Sequence, residues 1–118
     1  MMNSVDEFKI IIHGKGTHGA YPHQGIDSIN IGVHIHLALQ KLIARKANPQ
    51  DICTLTIEKF NARSATNIIS ESAILRGTLR TNNVSTRENL LSRIKEVCHK
   101  IADTYRGTVE INSTATYV

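Results

Sequence analysis

A ferredoxin-like α+β fold is predicted, βαββαβ in order, with a four-stranded antiparallel sheet and two helices on one face. Three observations predict it. Behind Ser85, the residues Leu90, Leu91, Ile94, Val97, Cys98, Ile101, Ala102 and Tyr105 recur at helical spacing. Residues 52–60 and 72–81 instead alternate apolar with polar, the period of half-buried strands. The elements follow one another as strand, helix, two strands, helix, strand, which is the order of a split βαβ sandwich. At 118 residues there is room for one domain, 1–118, with a single modest core.

The first strand spans 7–13, where Phe8-Lys9-Ile10-Ile11-Ile12 is rich in β-branched residues and Gly14 ends the run. Residues 14–27 form a loop, and Asp27-Ser28 supplies an N-cap for a helix over 28–45. That segment alternates from Ile29 to Leu39 as a strand would, yet it runs on to Arg45, too long for a typical strand. As a helix it carries one apolar stripe, Ile31-Ile35-Leu39-Leu42, and a second beside it, Ile29-Val33-Leu37. So wide an apolar arc predicts contact with two things, its own sheet and something else. Asn48-Pro49-Gln50-Asp51 is a turn. The second strand, 52–60, puts Cys53, Leu55 and Ile57 on one face, and a loop follows over 61–71. The third, 72–81, puts Ala73, Leu75, Gly77 and Leu79 on one side and Arg76, Thr78 and Arg80 on the other. Ser85-Thr86-Arg87-Glu88 fits a capping box for the second helix, Gly107 closes it, and residues 108–117 alternate as the last strand.

Hydrophobic content of 41% against 20% charge is enough for a packed core, which argues against disorder. The net charge of +4 arises from scattered Lys and Arg and gives no case for an acidic partner. A basic βαββαβ domain also describes RNA-recognition modules, but those stack bases on aromatics of the central strands. Here the third strand has no aromatic and the first only Phe8, so no nucleic acid is expected. No apolar run approaches the ~20 residues of a membrane span, and no signal peptide opens the chain, so no membrane partner is expected. Cys53 and Cys98, far apart in apolar patterns, read as buried free thiols of a cytoplasmic protein. The Met1-Met2 start, a few residues before a strand, reads as an expression start on an excised segment.

The most specific stretch is Gly14-Lys15-Gly16-Thr17-His18-Gly19-Ala20-Tyr21-Pro22-His23. His13, His18 and His23 share no helical face and have no carboxylate motif beside them, so zinc held by this chain alone is not expected. His34 and His36 fall on nearly opposed helix faces and read as surface or partner-helix residues. There is no serine nucleophile elbow and no GxGxxG after a strand, and Gly14-Lys15-Gly16 lacks the P-loop frame. On these residues alone the chain is a binding or accessory domain.

Several stretches together resemble one family. They are the run Gly14 to His23, the start Asp27-Ser28-Ile29, Arg45 with Pro49, the loop Ala65-Thr66-Asn67-Ile68-Ile69, and Arg76-Gly77-Thr78-Leu79-Arg80. Over residues 7–117 the chain resembles the lid, or dimerisation, domain of the aminoacylase-type zinc metallopeptidases. The nearest branch is the amidohydrolases such as hippurate hydrolase and N-acetyldiaminopimelate deacetylase. The resemblance implies a separate catalytic domain with two divalent metal ions of zinc or manganese type and a glutamate base. None of its H-x-D or Glu-Glu motifs occurs here, so this chain corresponds to the lid alone and by itself should be inactive.

By the same resemblance, His18 reaches into an active site, in many members the partner subunit's, and stabilises the oxyanion. Tyr21 and Asn67 match positions lining the substrate pocket. Arg80 matches an arginine that in some members binds the substrate carboxylate, and His23 shapes the loop. Three residues depart from the family pattern: Thr17 and Arg63 stand where glycine is usual, and Ser70 where proline is. The expected activity is hydrolysis of N-acyl amino acids or related amides, within a homodimer formed through edge strand 52–60 and helix 28–45. The alternative is a free-standing ferredoxin-like domain that binds amino acids as a regulator.

Overall fold

The computed structural model describes residues 4–15, 25–44, 53–63 and 71–117. Within them lie β1 (Ser4–His13), α1 (Ser28–Ala44), β2 (Cys53–Arg63), β3 (Ser72–Thr81), α2 (Val84–Thr104) and β4 (Thr108–Tyr117). The sheet order is β2-β3-β1-β4, with β1 antiparallel to both β3 and β4, and β2 antiparallel to β3. This is the predicted ferredoxin-like sandwich, and it leaves β2 and β4 as the edges.

One face of the sheet meets both helices. Phe8, Ile10 and Ile12 of β1, Leu55 of β2, and Ala73, Leu75 and Leu79 of β3 are buried there against Ile31, Ile35 and Leu39 of α1 and Leu90, Ile94 and Cys98 of α2. Each fully buried Ile or Leu side chain contributes about 1.5–3 kcal/mol relative to leaving it in water. With so few aromatics, the branched aliphatic residues carry the core.

Four boundaries differ from the sequence reading, each for a local reason. β1 begins at Ser4 rather than residue 7, because its first two inward positions are polar and hide the alternation. Ser4 Oγ shares a 2.8 Å hydrogen bond with Thr81 Oγ1, and the fully buried Asp6 is held by Arg87 of α2. β2 runs on to Arg63 because a bulge between Ile57 and Lys59 reverses its parity and breaks the pattern there. Beyond the bulge, Phe60 turns to the helix side, and its ring occupies the space a Cβ on Gly32 would need. α2 starts at Val84, capped by Asn83, whose Oδ1 accepts from Thr86 N at 3.1 Å, so the Ser85 capping box is not used. At its other end Arg106, not Gly107, takes the left-handed conformation, with φ 66°.

Both cysteines are free and buried. Burial pushes the Cys98 thiol up from its ordinary 9.0 to about 12. A raised folded-state value means the stability it contributes is complete below pH 9 and is lost as pH rises toward 12, because only the unfolded chain then releases the proton. Unfolding free energy should therefore fall above pH 9, and Cys98→Ala should be less stable at neutral pH but show a shallower alkaline decline. Parallel pH profiles of the two chains, followed by urea titration, would show that Cys98 is not the titrating group.

Candidate functional site: loop roots, open sheet face and open edge

His18, Tyr21, His23 and Asn67 lie outside the described residues, as do Thr17 and Ser70, but the strands their segments spring from are described. The first segment leaves β1 through Lys15 and returns at Ile26, which pair as an antiparallel bridge with N···O distances of 2.9 and 2.8 Å. The second leaves at Arg63 and returns at Glu71. Gly14 N donates to Glu71 O at 2.8 Å, tying the two roots together. Gly14 is required for this junction, since a Cβ there would strike Ile26 O and crowd Ser28 N at 3.1 Å. Asp27 Oδ1 then accepts from Ile29 N at 3.0 Å and starts α1 immediately behind the root. Both segments that the resemblance singles out therefore spring from the same end of the sheet.

Arg80 lies at the other end. It is exposed on the face away from the helices, opposite Val5 of β1 and Thr54 of β2. The eight steps from Ser72 to Arg80 correspond to about 27 Å along β3. Within one chain, then, Arg80 stands far from the roots of the segments holding His18 and Asn67.

The open edge β2 adjoins an unusual helix face. Ile31, Ile35 and Leu39 of α1 are wholly buried, whereas Ile29, Val33 and Leu37 remain 40%, 42% and 56% exposed. Apart from its two histidines, α1 has one charged residue, Lys41. Phe60, at 36% exposure, lies against Gly32 beside this stripe. His36 Nδ1 is buried without a hydrogen-bond partner among the described residues. His34 is tied instead to α1 and α2, through Asn30 O at 2.9 Å and a tilted ring contact with Tyr105 at 4.8 Å.

Among the described residues no three His, Cys, Asp or Glu side chains come together as a metal site. His13 lies 3.6 Å from Glu110, its one ion-pair partner among the described residues, with both side chains exposed. No helix among them is long and apolar enough to cross a membrane. What sequence reasoning missed is the shared root, because the Gly14–Glu71 hydrogen bond joins residues far apart in the chain.

A family model described as the peptidase dimerisation domain matches residues 3–106. N-acetyl-L-cysteine deacetylase of Bacillus subtilis is 36% identical over 102 residues, covering 86% of this chain and 24% of that protein. A solved structure from methicillin-resistant Staphylococcus aureus superposes with a TM-score of 0.88 at 27% identity, covering 95% of this chain and 29% of the other. A dinuclear metal-binding peptidase of the M20 family from Bacillus subtilis superposes with a TM-score of 0.71 at 26% identity, covering 94% and 25%. The chain spans 28% and 24% of the lengths of two curated relatives it matches.

Proposed function

Because the chain belongs to the peptidase dimerisation domain family, we propose that it is the dimerisation and substrate-lid domain of a metal-dependent amidohydrolase acting on N-acyl amino acids or related amides. The observation that carries this reading is the apolar, nearly uncharged outer face of α1 lying beside the unpaired edge β2. The deacetylase relative, whose name is that of an N-acyl amino acid hydrolase, supports the substrate class. The dinuclear metal-binding peptidase it resembles, of which this chain covers 25%, supports two divalent ions of zinc or manganese type held in a catalytic domain outside this chain. The chain alone, 1–118, would then be inactive. The free thiols fit a reducing compartment, the cytoplasm.

Pairing β2 with its symmetry mate would satisfy the edge and cover Ile29, Val33 and Phe60 in one isologous contact. Such a pairing is antiparallel, so the start of the partner's β2 would lie beside Arg63. The partner's copy of Arg80 would then stand about three strand spacings, or about 15 Å, from the loop roots, against about 27 Å within one chain. The lid's contributions to one active site would thus come from two chains. His18, Tyr21 and Asn67 would come from one and Arg80 from the other. Arg80 would hold a substrate carboxylate with its forked donors. His18 would donate to the amide oxygen as charge builds there.

The wild-type chain should sediment as a dimer, and Val33→Glu, which places a charge on the exposed stripe, should sediment as a folded monomer. A wild-type monomer at all concentrations, or a Val33→Glu dimer, would remove the α1–β2 interface. It would leave standing the free-standing regulatory domain, which needs neither a dimer nor a missing catalytic half.

A further inference from the structure

The strand register sets three cationic side chains in one row across the middle of the open sheet face. Lys9 of β1 stands directly opposite Arg76 of β3, and Arg76 directly opposite Lys59 of β2. Asn112 of β4 continues the row beyond Lys9. Like charges directly opposed on a sheet face destabilise it. Opposite charges do meet elsewhere, as in His13 with Glu110 across the sheet and Glu96 with Arg93 and Lys100 on α2. No ion pair joins Lys9, Lys59 or Arg76 to any described carboxylate.

The bulge on β2 creates this row. Thr56 opposes Thr78 and Ile57 opposes Gly77, but Lys59 rather than Glu58 then opposes Arg76. In a regular ladder Glu58 would stand opposite Arg76 as a favourable ion pair, and Lys59 would turn toward the helices. The inserted residue substitutes a repulsive neighbour for an attractive one, and Glu58 instead accepts from Thr78 Oγ1 at 2.6 Å. The three cations and Asn112 border one shallow depression of about 410 Å³, which Glu7 and Glu58 also line.

We propose that Lys59, Arg76 and Lys9 form a binding site for a small polyvalent anion. Arg76 presents a fork suited to carboxylate or phosphate oxygens, with an ammonium on either side and the Asn112 amide at the end of the row. Adjacent strands lie about 4.8 Å apart, so the three cations span about 10 Å, a length that suits a ligand with two anionic groups or one doubly charged group. Arg80 lies four residues further along β3, about 13 Å away, so the site is separate from the carboxylate role proposed for Arg80.

The test is calorimetric titration and thermal unfolding of the 118-residue chain with inorganic phosphate and with succinate, each against chloride at matched ionic strength. Variants are Arg76→Gln and Lys9→Gln, with Lys95→Gln on α2 as the control. Wild type and Lys95→Gln should bind a probe at least about tenfold more tightly than either row variant, the loss expected from one charge-assisted contact. The probe should raise Tm above chloride only where the row is intact. In low-salt chloride Arg76→Gln and Lys9→Gln should melt higher than wild type, because the repulsion is relieved. Response to phosphate alone supports the site and identifies a phosphoryl ligand; response to succinate alone supports it and identifies a dicarboxylate. Chloride matching both probes would reduce the effect to screening, and unchanged binding in Arg76→Gln would assign it elsewhere; either result overturns the proposal.

Discussion

Replacing Arg87 with methionine is expected to destabilise the fold by about 3–5 kcal/mol, the range for stripping one partner from a buried ion pair. Arg87 Nε and Nη2 donate to Asp6 Oδ2 and Oδ1 at 2.8 and 2.7 Å, and the Asp6 side chain is 0% exposed. Without the guanidinium, Asp6 faces the core as an uncompensated carboxylate beside Leu79, to which β1 pairs it. Asp6→Ala should cost less, because Arg87 keeps 18% exposure and can turn its head to water. The double variant Asp6→Leu, Arg87→Met should recover most of the loss, since well-packed apolar replacements of buried pairs are often neutral. Urea unfolding midpoints decide this. If Arg87→Met loses no more than a surface substitution does, the pair does not hold β1 to α2.

In a full-length protein carrying this lid, His18→Ala is expected to lower kcat by about 10²–10³-fold, the effect of removing one oxyanion donor. A donor aimed at the developing charge acts on the transition state far more than on bound substrate, so KM should change little. Unchanged sedimentation of the variant would separate this loss from a loss of assembly. Near-normal turnover would take His18 out of the oxyanion role and leave it as a loop-shaping residue.

The elements that could be read from the sequence are those whose inward positions are apolar throughout. β3 alternates without interruption from Ala73 to Leu79, and α2 repeats cleanly from Leu90 to Ala102, so both were legible. The start of β1 was not, because Ser4 and Asp6 point inward and are satisfied by Thr81 and Arg87, partners more than seventy residues away. Nor was the bulge, which needs the register of β2 on β3 before the parity change at Glu58 can be seen. The same holds for the candidate site. Local alternation placed Arg80 on the open face, and the structure agrees. Its separation from the Gly14 root follows only from strand order, and the row of Lys9, Arg76 and Lys59 only from strand register and the bulge.

The most direct test of a lid whose active-site residues come from two chains is hybrid complementation in the full-length enzyme. His18→Ala and Arg80→Ala subunits, each with little activity alone, are mixed or co-expressed and the hybrid dimer is assayed. If one site takes His18 from one chain and Arg80 from the other, the hybrid contains one site with both residues intact, and about half the wild-type activity should return, by the isologous symmetry of the pair. A hybrid no more active than its parents would mean that each site draws His18 and Arg80 from the same chain, contradicting the two-chain lid.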